Sequence, residues 1–242
     1  MIHDVAVVIP TTLNPVLERA VRSVFEQDAD ASVQIMIGVD VARGEHGVLE
    51  RLRADCPPRM NVTVLDLGYS TSARHGGFYR NWSGGALRTL LSYAANAPYL
   101  AYLDDDNWWA PSHLSDLLGA ISGVDWAWSY RWYVEPGTLQ TLCRDEWESV
   151  GPGRGMYARR YDGFVDTNCL MLDKRRCHWE LPAWCVPGNS KGAGIDRVVF
   201  RRLHPRHSSA CTGNATAYYV VREADVTKIR ELMNGTRRAR FP

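Results

Sequence analysis

The chain has 242 residues, of which 45% are hydrophobic and 23% charged, a composition typical of a globular protein and not of a disordered one. Its 28 Lys and Arg residues almost balance its 27 Asp and Glu residues, so the net charge of +1 gives no global attraction for nucleic acid or an acidic membrane. No C-x-x-C pair, signal peptide or long apolar span is evident. We therefore expect a cytoplasmic protein without a transmembrane segment that touches a membrane at most peripherally.

The first half alternates apolar strands with amphipathic helices. Runs of β-branched and other apolar residues predict strands at residues 5–9, 33–39, 62–65 and 99–103. Apolar residues at three- to four-residue spacing predict a helix after each strand, beginning near residues 15, 48, 85 and 111. This alternation predicts a mostly parallel central sheet covered by helices. Ligands of such sheets bind outside the carboxyl ends of the strands, where Thr11 and Asp40 follow two of them.

The second half has a different pattern. Residues 126–134 and 138–143 flank Glu135-Pro136-Gly137 and predict a hairpin. Further elements are predicted as a strand at 165–172, a helix at 195–203 and a last strand at 217–221. We therefore expect a single α/β domain over residues 1–242, with a parallel first half to residue 120 and a smaller mixed half from 121 to 242.

Three consecutive carboxylates, Asp104, Asp105 and Asp106, close the fourth predicted strand. Neighbouring carboxylates repel one another unless a cation neutralises them. If the segment is extended, Asp104 and Asp106 point to one side and Asp105 to the other. Oxygen ligands suit Mg²⁺ or Mn²⁺, with water and diphosphate oxygens in the remaining positions. A turn with a helix cap is the alternative, but a cap needs only one carboxylate.

Four segments in order resemble glycosyltransferase family 2. They are Val8-Ile9-Pro10-Thr11, the helix at 17–27, Arg80-Asn81-x-x-Gly84, and Leu103 to Pro111, which is similar to a D-x-D segment followed by x-W-x-P. The similarity covers residues 5 to about 120. It implies a GT-A fold, a nucleotide-diphosphate sugar donor with UDP favoured, a hydroxyl acceptor, Mn²⁺ or Mg²⁺, and inversion at the anomeric carbon. On this basis residues 1–120 hold the donor, and residues 121–242 bind the acceptor and supply the base.

Carried over by position, the resemblance assigns donor contacts to Pro10, Thr11, Thr12, Asp40, Arg80, Asp104 and Asp105. A carboxylate such as Asp40 can accept the N3–H of uracil or the N1–H of guanine. Arg80 would pair with this base-side acid or with a phosphate, unless it is only a surface arginine at a helix start. Asp106 is the expected direct metal ligand, and Asp104 belongs to the ribose or the metal's outer shell.

The base is assigned to Asp196, although Ile195 stands where the family has a preceding acid. A helix terminus favours an ionised carboxylate at this position. Less well matched candidates for the base are Asp162, Asp166 and Glu146. Some GT-A enzymes add a downstream histidine to the metal site, for which His207 is preferred to His204. A surface or hydrogen-bonded histidine is the alternative for both.

Two other functions remain open at this stage. A sugar-phosphate nucleotidyltransferase would need a glycine-rich loop after the first strand, where this chain has Pro10-Thr11-Thr12. A non-catalytic nucleotide-sugar binder is suggested by Ile195 in place of an acid. No G-x-G-x-x-G follows a strand, which argues against an NAD-dependent enzyme. The absence of a Q-x-x-R-W element favours transfer of single sugars over processive synthesis.

Overall fold

The computed structural model describes residues 2–80, 84–192 and 194–235. The strands are β1 (Val5–Thr11), β2 (Val33–Val39), β3 (Met60–Asp66), β4 (Tyr99–Tyr102), β5 (Trp108–Trp109), β6 (Trp126–Val134), β7 (Thr141–Arg144), β8 (Gly151–Pro152), β9 (Gly163–Phe164), β10 (Leu170–Asp173) and β11 (Ser209–Val220). The α-helices are α1 (Leu17–Phe25), α2 (Gly47–Ala54), α3 (Gly85–Ala94), α4 (His113–Ala120), α5 (Ala158–Tyr161), α6 (Lys174–Cys177), α7 (Ile195–Leu203) and α8 (Glu223–Met233). Short 3₁₀ helices occupy Ala73–His75, Thr167–Cys169 and His178–Cys185.

One sheet connects the two halves of the chain. Its strand order is β3-β2-β1-β4-β10-β6-β11-β5, with β7 paired to β6. Strands β1 to β4 pair in parallel, whereas β10 runs antiparallel to both β4 and β6, and β5 runs antiparallel to β11. The predicted α/β fold with a parallel helix-covered sheet and a smaller mixed part is therefore confirmed.

The parallel strands are buried because helices cover the sheet. Every residue of β1 and β2 is buried, which explains their continuous apolar sequences. Helix α1 places Leu17, Val21 and Val24 in the core. Strand β1 lies between β2 and β4, so the chain continues from β1 toward β2 on one side and returns to β4 on the other. A crevice opens beyond the carboxyl end of β1, where these two directions separate.

The second half departs from the sequence prediction in several elements, of which three bear on longer segments. The strand predicted at 165–172 begins only at Leu170, because the Asp166 carboxylate accepts the Asn168 N–H and turns the chain into the 3₁₀ helix Thr167–Cys169. The last strand is longer than predicted and spans Ser209–Val220. Helix α8 was not predicted, although it buries Val226, Ile229 and Leu232 at helical spacing.

None of the helices within the described residues is long and apolar enough to cross a lipid bilayer.

Candidate active site

The carboxyl ends of β1, β2 and β4 meet at one edge of the sheet and surround a pocket of about 290 Å³, called here the donor pocket. The predicted residues in its lining are Pro10, Thr11, Thr12, Asp40, Asp104, Asp105 and Asp106. The other lining residues are Arg43, Arg74, His75, Gly84 and Arg88. Sequence-distant polar groups thus meet where parallel-sheet topology places a ligand.

Asp40 is positioned by the loop that follows β3. Its Oδ1 accepts hydrogen bonds from the Ser70 hydroxyl at 2.9 Å and from the Thr71 N–H at 3.1 Å. The residue is only 9% exposed, and it still lines the donor pocket. These two bonds hold one carboxylate oxygen, and no hydrogen bond from the described residues occupies the other, which is available to a ligand.

Asp105 is bound to the end of the first strand. The Thr11 hydroxyl donates to Asp105 Oδ2 at 2.6 Å, and the same oxygen of Thr11 accepts the Leu13 N–H at 2.9 Å. Burial raises the pKa of Asp105, and the Thr11 hydrogen bond acts against that rise. Asp105 therefore fixes the carboxylate triplet to β1 and does more than support a turn.

Asp104 faces the opposite direction and is held by two side chains. Its carboxylate forms an ion pair with Arg88 and accepts the Asn168 amide N–H at 3.0 Å. The Asp104 N–H donates to Asn168 Oδ1 at 2.7 Å, so Asn168 holds both its backbone and its side chain. Asp104 and Asp105 thus point to different sides, as strand alternation predicts.

Arg88 was missed by the sequence analysis. It is 4% exposed and its guanidinium lies 5.4 Å from the ring centre of Trp184. The signal was available, because Arg88 lies among the apolar residues of α3 and a buried arginine requires an acidic partner. Gly84 brings it to the pocket: the residue has φ = 64°, and a Cβ there would lie 2.8 Å from Pro10 Cβ. This close approach sets the start of α3 against the end of β1.

Asp106 is the carboxylate of the triplet with no hydrogen bond from another side chain of the described residues. Its side chain reaches the pocket, yet burial by the surrounding protein and the charges of Asp104 and Asp105 raise its pKa to about 7. Arg19 donates to the Asp106 carbonyl oxygen at 2.7 Å and leaves the carboxylate itself available. A cation at this position would offset the repulsion among the three acids.

His207 lies away from the triplet, at the opposite edge of the sheet. Its ring nitrogens lie 3.6 Å from Asp125 and 3.6 Å from Glu180. The Asp125 carbonyl accepts the N–H of Asp173, which pairs with Tyr99 at the start of β4, whereas the triplet follows the end of β4. The structure therefore does not bring His207 to Asp104 and Asp106. Within the described ranges, no group of three or more His, Cys, Asp and Glu side chains is arranged to hold a metal ion.

Arg80 is also not brought to the donor pocket. It is exposed at the end of the segment that follows Ala73–His75, and Asn81 of the same motif lies outside the described residues. Arg88, in α3, supplies the pocket with a guanidinium instead.

A second pocket of about 170 Å³ adjoins the first and shares Arg88 and Asp104 with it. We call it the acceptor-side pocket. Asp166, Asp196, Arg197 and Tyr219 complete its polar lining. Asp196 lies in the first turn of α7, and its Oδ1 accepts the Arg197 N–H at 2.8 Å. Burial raises the pKa of Asp196 although Arg197 opposes the rise, so burial outweighs the expected effect of the helix terminus.

The other candidates for the base are placed less favourably. Asp166 lines the same pocket, but Arg131 donates to one of its oxygens at 2.5 Å and Asn168 to the other at 2.7 Å. Asp162 has a side chain that is 72% exposed and pairs with His204 at 2.9 Å. Glu146 is exposed and outside both pockets. Asp196 is the carboxylate of this pocket with the fewest hydrogen-bond donors around it among the described residues.

A buried charge network joins the two pockets. Arg131, with a side chain 2% exposed, pairs with Asp145 at 2.8 Å, with Glu148 at 2.9 Å and with Asp166 at 2.5 Å. Burial opposes ionisation of Asp145, but Arg131 and three backbone N–H groups overcome it and lower its pKa. Asn168 donates from one amide nitrogen to both Asp166 and Asp104. Sequence analysis did not reveal this network, which depends on contacts between distant segments.

Comparison with known proteins supports the fold. No protein-family model and no curated protein matches the chain. Among solved structures, S. aureus TarS 1–349 with UDP-GlcNAc superposes with a TM-score of 0.65 and 13% identity, over 91% of this chain and 59% of TarS 1–349. The same protein with UDP gives 0.66 and 14%, over 95% and 64%. Mannosyltransferase PcManGT from Pyrobaculum calidifontis, with GDP-Man and Mn²⁺, gives 0.60 and 11%, over 95% and 60%.

The chain therefore spans about three fifths of the length of these structures. At identities of 11–14% the likeness establishes the architecture alone. That architecture is the GT-A-like fold implied by the resemblance to glycosyltransferase family 2.

Proposed function

We propose that the chain is a glycosyltransferase that moves a sugar from a nucleotide-diphosphate sugar to an acceptor hydroxyl, with inversion and one sugar at a time. The observation that carries this proposal is the pair of adjoining pockets that share Arg88 and Asp104. One holds the carboxylate triplet, and the other holds Asp196. Two substrates bound in these pockets would meet at Asp104, which is what a transfer reaction requires.

The donor would bind with its base toward Asp40 and its diphosphate toward the triplet. Asp40 can accept a ring N–H of uracil or guanine, and TarS was solved with UDP-GlcNAc and PcManGT with GDP-Man. We favour UDP, as the sequence predicted. Arg88 and Arg43 supply positive charge to the pocket that would receive the diphosphate.

The residues present fit a divalent cation, Mn²⁺ or Mg²⁺. Asp106 offers an available carboxylate whose pKa is raised first by burial and then by the negative charges of Asp104 and Asp105. His207 has no part in this site, so water and diphosphate oxygens would complete the coordination. A bound cation would stabilise the negative charge of the departing nucleotide diphosphate.

Asp196 is proposed as the general base. Its carboxylate takes the proton of the acceptor hydroxyl as the acceptor oxygen bonds to the anomeric carbon. The bond from that carbon to the diphosphate oxygen breaks in the same step, and the nucleotide diphosphate leaves with the electron pair. Attack from the side opposite the leaving group inverts the anomeric configuration. The raised pKa of Asp196 suits this role, because a base works best when its pKa lies near the working pH.

Substitution of the base tests this function. Asp196→Asn keeps the side-chain size and should lower kcat by about 10²–10⁴-fold while the donor Kd is unchanged. Asp162→Asn is the matched control, because Asp162 is exposed, and it should keep kcat within about two-fold. Turnover of Asp196→Asn within a few-fold of the parent would place the base elsewhere.

The two alternatives predict other outcomes. A non-catalytic binder, suggested by the apolar and buried Ile195, would bind a nucleotide-sugar tightly without transferring the sugar or hydrolysing the donor. A nucleotidyltransferase would release diphosphate from a nucleoside triphosphate and a sugar phosphate. Assays of donor hydrolysis and of diphosphate release separate both from the proposed transferase.

A further inference from the structure

Three arginines converge on one tyrosine beside the acceptor-side pocket. The guanidinium carbons of Arg160, Arg197 and Arg201 lie 5.3, 5.7 and 5.9 Å from the centre of the Tyr161 ring. We call these three residues the arginine cluster. Arg197 also lies 4.7 Å from the ring centre of Tyr157 and donates to its hydroxyl oxygen at 3.4 Å. The cluster is built by the facing helices α5 and α7.

In the described part of the chain, no salt bridge joins the cluster to an acid. Within the described residues, no carboxylate oxygen lies within 4.0 Å of the side-chain nitrogens of these arginines. Arg88 and Arg131, in contrast, pair directly with aspartates. Asp162 follows α5 but pairs with His204, and Asp196 bonds to the backbone N–H of Arg197 and not to its guanidinium. Asp196 attracts Arg197 by charge, but one carboxylate does not balance three guanidinium groups, so positive charge remains for an anion.

The cluster continues the acceptor-side pocket. Arg197 lines that pocket next to Asp196, and with Arg201 it also lines a small cleft against Gly188 and Asn189. The Nε of Arg197 is buried and makes no hydrogen bond among the described residues. Arg160 and Arg201 are exposed and can be reached from solvent. A molecule with its hydroxyl at Asp196 would thus extend directly onto the cluster.

We propose that the acceptor carries an anionic group, a phosphate or a carboxylate, which the arginine cluster binds while the reacting hydroxyl lies at Asp196. This proposal rests on the proposed function. The planar guanidinium fork matches the oxygens of both groups, and Tyr161 keeps the arginines in place by cation–π contact. Because the whole chain has a net charge of only +1, the attraction is local to this surface.

Calorimetric binding of small probes to the full chain tests the proposal. The titration is made at saturating UDP and Mn²⁺, which fill the donor pocket. Binding of the phosphate probe in the donor pocket then does not contribute to the signal. Glycerol 3-phosphate should then bind and glycerol should not, and glycerate shows whether a carboxylate serves as well. Arg160→Gln and Arg201→Gln should each weaken binding by about ten-fold, the effect of losing one charge-assisted hydrogen bond.

Arg202→Gln is the matched control, because Arg202 is also exposed on α7 and no ring contact joins it to Tyr161 in the described structure. It should change the Kd by less than about two-fold. Equal losses in all three variants would indicate a diffuse charge effect and overturn the proposal, as would unchanged binding in Arg160→Gln and Arg201→Gln. Failure of the chain to bind UDP would instead contradict the proposed function. In that case, the effects of Arg160→Gln and Arg201→Gln on glycerol 3-phosphate binding can still be compared with the effect of Arg202→Gln in the absence of UDP.

Discussion

The donor pocket and the arginine cluster beside the acceptor-side pocket differ in the sign of their unneutralised charge. In the donor pocket the excess is negative: Asp104 and Asp105 are held by Arg88, Asn168 and Thr11, and Asp106 remains open. Beside the acceptor-side pocket, three arginines lie around Tyr161, and among the described residues the one carboxylate that attracts them by charge is that of Asp196, next to Arg197. An excess of carboxylates suits a cation, whereas an excess of guanidinium groups suits an anion.

The proposed function would use this difference to bind two unlike substrates at one sheet edge. Each region presents a charge that its own ligand would balance, and the buried network through Arg131, Asp166 and Asn168 links the acceptor-side pocket to Asp104, which both pockets share. Substitutions in the network should therefore lower the stability of the whole fold, whereas substitutions in a pocket wall should weaken the binding of one ligand.

The largest expected effect is on stability. Arg131→Gln leaves Asp145 and Asp166 buried without their common cation, and should lower the free energy of unfolding by about 3–5 kcal/mol in urea denaturation. Arg175→Gln, which removes an exposed arginine paired with Asp173, should cost less than about 1 kcal/mol. Similar losses for the two variants would show that the network does not support the fold.

A smaller effect is expected at the shared wall of the two pockets. Arg88→Gln removes the partner of Asp104, and should weaken binding of UDP with Mn²⁺ by about 10–100-fold, as expected for a lost hydrogen bond to a charged group. Arg88→Lys keeps the charge but not the fork, and should recover part of the affinity. Full affinity in Arg88→Gln, measured by calorimetry, would contradict a role for Arg88 in donor binding.

The hydrogen bond from Thr11 to Asp105 should contribute less. Thr11→Val removes the hydroxyl without changing the size of the side chain, and should lower the free energy of unfolding by about 1–2 kcal/mol. Thr11→Ser retains the hydroxyl and should recover most of the loss. If Thr11→Ser is as unstable as Thr11→Val, the loss of stability comes from altered packing and not from the missing hydrogen bond.

The smallest expected effect is on the pH dependence of kcat/KM and of stability, which depends on Asp196. The folded pKa of Asp196 is raised above its ordinary value of 3.8, so the base becomes ionised only at a higher pH and kcat/KM should rise with pH through that raised pKa. Ionisation of Asp196 also costs more in the folded chain than in the unfolded chain. Its contribution to stability therefore falls as pH rises from 3.8 through the folded pKa.

Asp196→Asn should consequently remove the Asp196-dependent rise in kcat/KM without lowering the free energy of unfolding at pH 7. A variant with the parent's pH profile would show that another group titrates. A markedly less stable variant would show that Asp196 has a structural role.

Much of the donor pocket could be predicted from sequence because parallel strands end at a common edge. Thr11, Asp40 and the triplet each follow an apolar strand, and that pattern alone places them together. Arg88 and Asn168 could not be assigned in the same way. Asn168 precedes an antiparallel strand whose pairing with β4 is not encoded by local periodicity, and Arg88 depends on the close contact of Gly84 with Pro10.

The second half illustrates the limits of local patterns. The helix at Ile195–Leu203 was predicted to the residue because its apolar positions repeat at helical spacing. His207 lies just beyond that helix, but the direction of the following chain takes it to the edge with Asp125 and Glu180. The short sequence distance between His207 and Asp196 therefore does not indicate how far His207 lies from the triplet.

Binding of nucleoside diphosphates with and without Mn²⁺ tests the central claim most directly. We expect UDP to raise the melting temperature of the parent chain and of Asp196→Asn more strongly with Mn²⁺ than without it. Asp106→Ala, which removes the open carboxylate, should lose the Mn²⁺-dependent part of the shift. A parent chain that binds no nucleoside diphosphate, or an Asp106→Ala variant with the full Mn²⁺-dependent shift, would contradict the assignment of the donor pocket.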